Sequence, residues 1–298
     1  MATSALARVG FVGLGKMGAP MAARLHSAGY PLVVRDAQSE AAQTFVASHT
    51  GAVAAASAAA LAPCDVVITM LPDSDVVEAV ALGGDAGLIA VLRPGTVVID
   101  MSSSAPLRTR ALAAKLAAAG LRFLDAPVSG GVKRALDGSL AIMVGGDATV
   151  FESQRTLLGW MGRTLTHVGA AGAGHAMKAL NNYVSAAGLV ATVEALHAGH
   201  RFGLDPAVMT DVLNGSTGRN NTTENKVKPF MISGRYDSGF SLALMAKDLG
   251  IAMSLADEVG IPMRLGDLVR TLWDEAAGEL GAAADHTEMH RWLTPGEA

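Results

Sequence analysis

The sequence predicts two domains: an α/β domain with a parallel sheet over residues 1–168, and an all-helical domain over residues 169–298. Three observations carry this. Short apolar runs alternate with longer helical patterns up to about residue 168. The pattern Gly13-x-Gly15-x-x-Gly18 follows the first of these runs. Beyond Gly169 the periodicity is helical and no strand pattern recurs.

The elements follow in order. Residues 9–12, 32–35, 66–70, 97–100 and 123–125 are short and nearly continuously apolar, as strands buried on both faces are. Helical patterns lie near 17–28, 39–48, 74–80, 84–91 and 106–119. This alternation predicts βαβ units and hence parallel pairing. Residues 140–144 and 164–168 read as two more strands, with a helix across 148–159. Residues 170–174, Ala-Ala-Gly-Ala-Gly, are flexible. From His175 to Phe202 the pattern is helical and free of proline, about 28 residues against a usual mean of about 11–12. A helix of that length can leave one domain and form the spine of the next. The remainder is helical, with stops at Gly215, Gly218, Pro229, Gly234, Gly260 and Pro262.

Composition supports this division. A chain of 298 residues is long enough for two ordinary domains. Hydrophobic residues make up 50 % and aromatics only 4 %, which suits close-packed helices and buried parallel strands rather than a β-sandwich. A net charge of -4 provides no basic field for nucleic acid. Cys64 is the only cysteine, so no intrachain disulfide can form, as expected in a reducing compartment. Residues 1–7 are too short for the apolar core of a secretory leader. The most apolar long stretch, 184–198, contains Glu194 and His197 and falls short of the roughly 20 apolar residues of a membrane span. The expectation is a cytoplasmic protein without nucleic-acid or membrane partners.

The glycine pattern is informative because of its context between a strand and an amphipathic helix. One glycine permits a tight turn, the second lets backbone approach a pyrophosphate, and the third lets helix pack on strand. Gly13, Leu14, Gly15, Lys16, Met17 and Gly18 are therefore candidate dinucleotide contacts. Asp36, 18 residues after Gly18, is read as closing the second strand, where an acid binds the ribose hydroxyls of NAD. Arg35 keeps NADP open. Leu71 and Pro72, and the run Asp100-Met101-Ser102-Ser103-Ser104, lie at strand ends where ligands of open α/β sheets bind. One of these serines is expected to cap the next helix, and another to face the nicotinamide.

Ser129-Gly130-Gly131 follows another strand end and offers backbone N–H groups and a hydroxyl to a carboxylate, or simply makes a tight turn. Lys178 and Asn182 are four apart on the long helix and share a face. Lys247-Asp248 reads as a surface ion pair unless a ligand recruits it. His286 and His290 have metal-like spacing, but the glutamate between them is displaced from the metalloprotease pattern, so a solvated C-terminal segment is expected. The long helix carries apolar residues on more than one face (Leu180, Val184, Leu189, Val190, Val193, Leu196), which predicts a homodimer or homotetramer.

Taken in order, four segments resemble the β-hydroxyacid dehydrogenase family, which includes 3-hydroxyisobutyrate dehydrogenase and tartronate semialdehyde reductase: Gly13 through Gly18 with Met21-Ala22, Asp125 through Val132 with Gly138, Gly174 through Asn182, and Phe240 through Asp248. The resemblance implies a Rossmann-type N-terminal domain and a helical C-terminal domain joined by the long helix. It also implies an NAD(P)-linked exchange of a small carboxylate-bearing hydroxy acid with its semialdehyde or keto form. By the same resemblance Lys178 is the general acid/base and Asn182 its orienting partner, Ser129, Gly130 and Gly131 receive the substrate carboxylate, Ser103 lies near nicotinamide and substrate, and Lys247 reaches the cofactor. Imine reductases share the architecture but commonly carry Asp or Tyr where Lys178 stands. An inactive dinucleotide-binding module would have no need of Lys178, Asn182 and the Ser129 turn. The segment Thr217 through Asn225 is polar where aromatic or proline-rich sequence is expected for 3-hydroxyisobutyrate, which points to a more polar substrate.

Overall fold

The computed structural model describes residues 6–293, so part of the N-terminal leader reading lies outside the described residues. The chain forms two compact units, the first running to Lys178 and the second starting at Ala179.

In the first unit, strands β1 (Val9–Val12), β2 (Leu32–Arg35), β3 (Val53–Ala54), β4 (Val66–Thr69), β5 (Val97–Asp100) and β6 (Arg122–Asp125) alternate with helices α1 (Gly18–Ser27), α2 (Ser39–Ser48), α3 (Ser74–Leu82), α4 (Leu88–Val91) and α5 (Pro106–Ala118). These six strands are parallel, in the order β3-β2-β1-β4-β5-β6. Successive strand residues face opposite sides. Val9, Phe11, Val34, Val66, Ile68 and Ile99 therefore enter one core with Met21 and Leu25 of α1. Val12, Val33, Val67 and Val98 enter a second core with Val77 of α3 and Leu112 and Leu116 of α5. Cys64 is buried in that second core, and burial pushes its thiol up to about 11.

The sheet continues through β7 (Val128–Ser129), helix α6 (Gly131–Asp137), β8 (Leu140–Gly146), α7 (Ala148–Gly159) and β9 (Gly162–Gly169). Here the sheet is no longer purely parallel. β8 runs antiparallel to β6 and β7, while β9 is parallel to β8. The connection from β7 to β8 is shorter than the dozen or so residues that a parallel crossover needs. The helix expected across 84–91 is also broken, because Gly83, Gly84 and Gly87 leave a 3₁₀ turn at Gly84–Ala86 before α4. β2 stops at Arg35, so Asp36 follows the strand rather than closing it.

Helix α8 (Ala173–Phe202) has 30 residues, and the boundary between the two units falls inside it. The second unit continues with α9 (Pro206–Asn214), α10 (Asn221–Asn225), a π-helical turn Val227–Ile232, α11 (Leu242–Glu258), α12 (Arg264–Leu280), a 3₁₀ turn His286–Glu288 and α13 (Met289–Trp292). Among the described residues its only β feature is a bridge between Ser241 and Asp285. Its core joins Leu189, Val193 and Leu196 of α8 to Met245 and Leu249 of α11 and to Val269, Trp273 and Ala276 of α12.

The C-terminal histidines are not solvated as expected. His286 is buried. Its Nδ1 donates to the Phe240 carbonyl at 2.9 Å, and its Nε2 meets the Lys226 ammonium. Among the described residues no cluster of His, Cys, Asp and Glu could hold a metal ion. Burial, and then the Lys226 charge, push His286 down to about 4 from the ordinary value of 6.5. A depressed histidine is neutral in the folded chain but takes up a proton on unfolding between about pH 4 and 6.5. Its contribution to stability is therefore complete above pH 6.5 and is lost as pH falls toward 4. A shift of this size corresponds to a full loss of about 3–4 kcal/mol. The melting temperature of the second unit is expected to fall several degrees between pH 7 and pH 5, and less in His286→Gln. Equal slopes in the two proteins would refute this.

Candidate active site

In the first unit the candidate residues lie at the C-terminal ends of the central strands. The sheet order reverses at β1 and β4, which opens the crevice where dinucleotides bind in doubly wound sheets. The turn after β1 fits such a ligand on steric grounds. Gly13 has φ +97, and a Cβ there would lie 2.3 Å from the Met70 carbonyl oxygen. A Cβ at Gly18 would lie 1.9 Å from the Gly13 carbonyl oxygen. At Gly15 a Cβ would meet nothing within 4 Å. Thus the first and third glycines are required by close backbone approach, and the middle one faces open space, the three roles a pyrophosphate cradle needs. Lys16 is exposed and Met17 half-buried beside it.

Asp36 turns back onto this loop. Its carboxylate accepts the Leu14 N–H at 2.7 Å and the Gln38 N–H at 2.9 Å. That places a negative charge next to the glycine turn, a position suited to ribose hydroxyls and hostile to a 2′-phosphate. Arg35 is the last residue of β2, half-buried and pointing to the opposite side of the strand from Val34.

The turn after β5 is organised around Asp100. This buried carboxylate accepts the Thr69 hydroxyl at 2.9 Å, the Ser102 N–H at 3.1 Å and the Ser104 hydroxyl at 3.0 Å. The Ser102 hydroxyl accepts the Leu71 N–H at 2.9 Å, tying the turns after β4 and β5 together. Pro72 is exposed and Ser103 half-buried between these anchored neighbours. The expected serine cap on α5 is absent. The N-cap position is Ala105, whose N–H donates to the Ser74 hydroxyl at 2.8 Å, because Ser102 and Ser104 are already engaged.

Ser129 ends β7, and Gly130 and Gly131 follow with φ of 131 and 67. Two successive left-handed residues are accessible only to glycine without strain. Asp125, in the same motif, does something the sequence did not disclose. It is fully buried and accepts the Gly172 N–H at 2.8 Å and the His175 N–H at 2.9 Å, so it caps the start of α8 from the end of β6. Gly145 and Gly174 make room for this contact: a Cβ at either would fall within 2.8 Å of an Asp125 oxygen.

Lys178 is 9 % exposed and Asn182 6 %, one turn apart on α8. The Asn182 amide donates to Asp248 Oδ2 at 2.6 Å, so Asp248 is a buried partner of Asn182 rather than part of a surface pair. Lys247 is half-buried beside it on α11. The polar segment 217–225 is largely engaged in its own fold. Asn220 accepts the Thr222 and Thr223 N–H groups and donates to Thr192, and Arg219 pairs with Glu224.

A glycine cradle at a sheet switch point, with a helix carrying a buried lysine and asparagine, defines an NAD(P)-dependent oxidoreductase. Family models agree. Residues 8–169 match the NAD binding domain of 6-phosphogluconate dehydrogenase, and residues 172–293 match the NAD-binding model of NADP-dependent 3-hydroxyisobutyrate dehydrogenase. The chain belongs to the β-hydroxyacid dehydrogenase family. It is 41 % identical to the NAD-dependent L-serine dehydrogenase of Pseudomonas aeruginosa, over 97 % of this chain and 98 % of that one. The solved structure of Mycobacterium tuberculosis 3-hydroxyisobutyrate dehydrogenase with L-serine superposes with a TM-score of 0.89 at 36 % identity, covering 97 % of this chain and 99 % of that chain. An imine reductase from Myxococcus stipitatus shares the fold, with a TM-score of 0.66 at 18 % identity and coverage of 97 % and 100 %. No helix among the described residues is long and apolar enough to cross a membrane.

Proposed function

We propose that this enzyme oxidises a small, polar β-hydroxy acid, with L-serine the first candidate, using Lys178 to take the hydroxyl proton. The observation that carries the reading is the buried lysine one helical turn from a buried, carboxylate-bonded asparagine. When bound, the dinucleotide supplies the two-electron acceptor. Gly13 through Gly18, Asp36, Leu71, Pro72, Ser103 and Lys247 would hold it. Ser129, Gly130 and Gly131 receive the substrate carboxylate, with Ser103 alongside. Asp248 accepts one Asn182 amide N–H and Asn181 donates to the Asn182 oxygen at 3.1 Å, which fixes the amide plane; in this reading the substrate hydroxyl meets its second N–H. Similarity to an L-serine dehydrogenase supports the substrate class. The test is a panel of three- to five-carbon hydroxy acids with NAD and NADP, read as appearance of the reduced cofactor. L-serine outperforming 3-hydroxyisobutyrate in kcat/KM supports the reading, and the reverse order refutes the polar substrate.

NAD is the preferred cofactor in this reading, because the Asp36 carboxylate repels a 2′-phosphate. Asp36→Ala is expected to cut the ratio of kcat/KM for NAD over NADP by about tenfold, ~1.4 kcal/mol. A wild-type preference for NADP would assign the choice to Arg35 instead.

The enzyme is further proposed to be a cytoplasmic homodimer or homotetramer; the single, buried Cys64 supports a reducing compartment. In the single chain Val184 is 67 % exposed and Phe202 86 %, and Val208 and Val212 share an exposed face of α9. In this reading the oligomer covers these exposed apolar side chains. A monomeric mass by light scattering at micromolar concentration would overturn this.

A further inference from the structure

We propose that His175 is a positioning residue for the reaction, locking the first turn of α8, and with it Lys178, to the serine turn after β5. The inference rests on the reading of Lys178 as the proton-transfer group.

His175 occupies the second residue after Ala173, at the start of α8, three residues before Lys178. It is buried, as are all its side-chain partners. Nε2 lies 3.2 Å from the Ser102 carbonyl oxygen, and since a carbonyl only accepts, Nε2 carries a proton and donates it there. Nδ1 meets the Thr109 hydroxyl of α5 at 2.8 Å. The ring lies between two carboxylates, with Nε2 3.7 Å from Asp100 and Nδ1 3.9 Å from Asp125. The backbone N–H of the same residue donates to Asp125. One residue therefore joins three places: the β5 turn that presents Ser103, the start of α5, and the end of β6 that leads into Ser129.

This arrangement is more than helix capping. Asp125 already accepts the Gly172 and His175 N–H groups at the start of the helix. The imidazole adds a rotational constraint, because it holds the turn from the side by bonds to two other elements. Residues three apart on a helix share a face, so fixing the azimuth of His175 fixes that of Lys178. Gly174 lets this turn sit against the strands, since a Cβ there would lie 2.5 Å from the Met143 carbonyl oxygen and 2.7 Å from that of Asp125. A displacement of about 1 Å at a reacting group can slow a reaction by about 10²-fold. Loss of the imidazole is thus expected to act on the chemical step.

The test compares His175→Ala, His175→Gln and Thr109→Val with Lys178→Ala. The readouts are kcat, KM for L-serine, the NADH dissociation constant by fluorescence titration, and the melting temperature. His175→Ala is expected to lower kcat at least about tenfold, with KM and the NADH constant within about threefold of wild type. Glutamine can donate to the Ser102 carbonyl as Nε2 does, so His175→Gln is expected to recover most of the lost kcat. Thr109→Val keeps the histidine and its Ser102 bond and is expected to lower kcat only a fewfold. A kcat within twofold of wild type in His175→Ala overturns the proposal. So does a His175→Gln protein with wild-type melting temperature and no recovery. If His175→Ala does not fold, the Gln and Thr109 variants decide between these outcomes. A dead Lys178→Ala beside an active His175→Ala sinks this inference alone, whereas an active Lys178→Ala sinks the reading beneath it.

Discussion

Lys178→Ala is expected to bind NADH normally and bind the hydroxy acid only modestly worse, yet to lose at least about 10²-fold in the rate of NADH formation. An alcohol that gives up its carbon-bound hydrogen must also release its hydroxyl proton. A positioned base contributes typically about 10²–10⁴-fold to such a step. In the direction of oxidation the Lys178 amine takes the proton, and in reduction the ammonium returns it to the carbonyl oxygen. Lys178→Arg is expected to fail as well, because a guanidinium keeps its proton. Single-turnover measurement with saturating substrate separates this from a binding defect. A near wild-type rate in Lys178→Ala would remove the lysine from the mechanism.

The second large effect concerns stability. Trp273 on α12 is completely buried at the centre of the second unit, among Met245, Leu249 and the α8 residues Leu189 and Val193. Truncation of such a side chain costs about 3–5 kcal/mol, through lost transfer energy and the cavity left behind. Trp273→Ala is therefore expected to destabilise the second unit by that amount in chemical denaturation. It should also loosen α11, which carries Asp248, and so weaken the Asn182 contact. The indole Nε1 has no hydrogen-bond partner among the described residues, so Trp273→Phe removes a poorly placed N–H along with some volume. Phenylalanine should therefore be markedly milder than alanine. An equal loss in both variants would mean that the cavity argument does not hold.

Much of this was legible because the chemistry is local. The strands 9–12, 32–35 and 97–100 stand out since both faces are buried and nearly every residue is apolar. The glycine turn stands out because the spacing is itself the requirement. What a local reading of the sequence does not reveal depends on distant parts of the chain meeting. Val53–Ala54 and Val128–Ser129 are strands of two residues, too short for any period to show. The reversal at β8 is set by the length of a connection, not by composition. His175 looks like a stray histidine between Gly174 and Lys178 until Asp100, Thr109 and Asp125 fold around it. Asp248 read as half of a surface ion pair because its partner Asn182 is 66 residues away. His286 sits in a polar stretch, and its burial is supplied by Lys226 and Phe240 from elsewhere.

The state of Cys64 has a practical consequence. A thiol held near 11 exposes on the order of one thiolate in ten thousand at pH 7, and the thiolate is the reactive form. Buried as well, Cys64 should ignore maleimides on the timescale of ordinary labelling. The wild-type chain then serves as a thiol-silent background. Gln43→Cys on α2 and Asp257→Cys on α11 both fall at exposed positions, one in each unit. Dyes attached there would report by energy transfer how the distance between the two units responds to cofactor and substrate, with no need to replace the native cysteine.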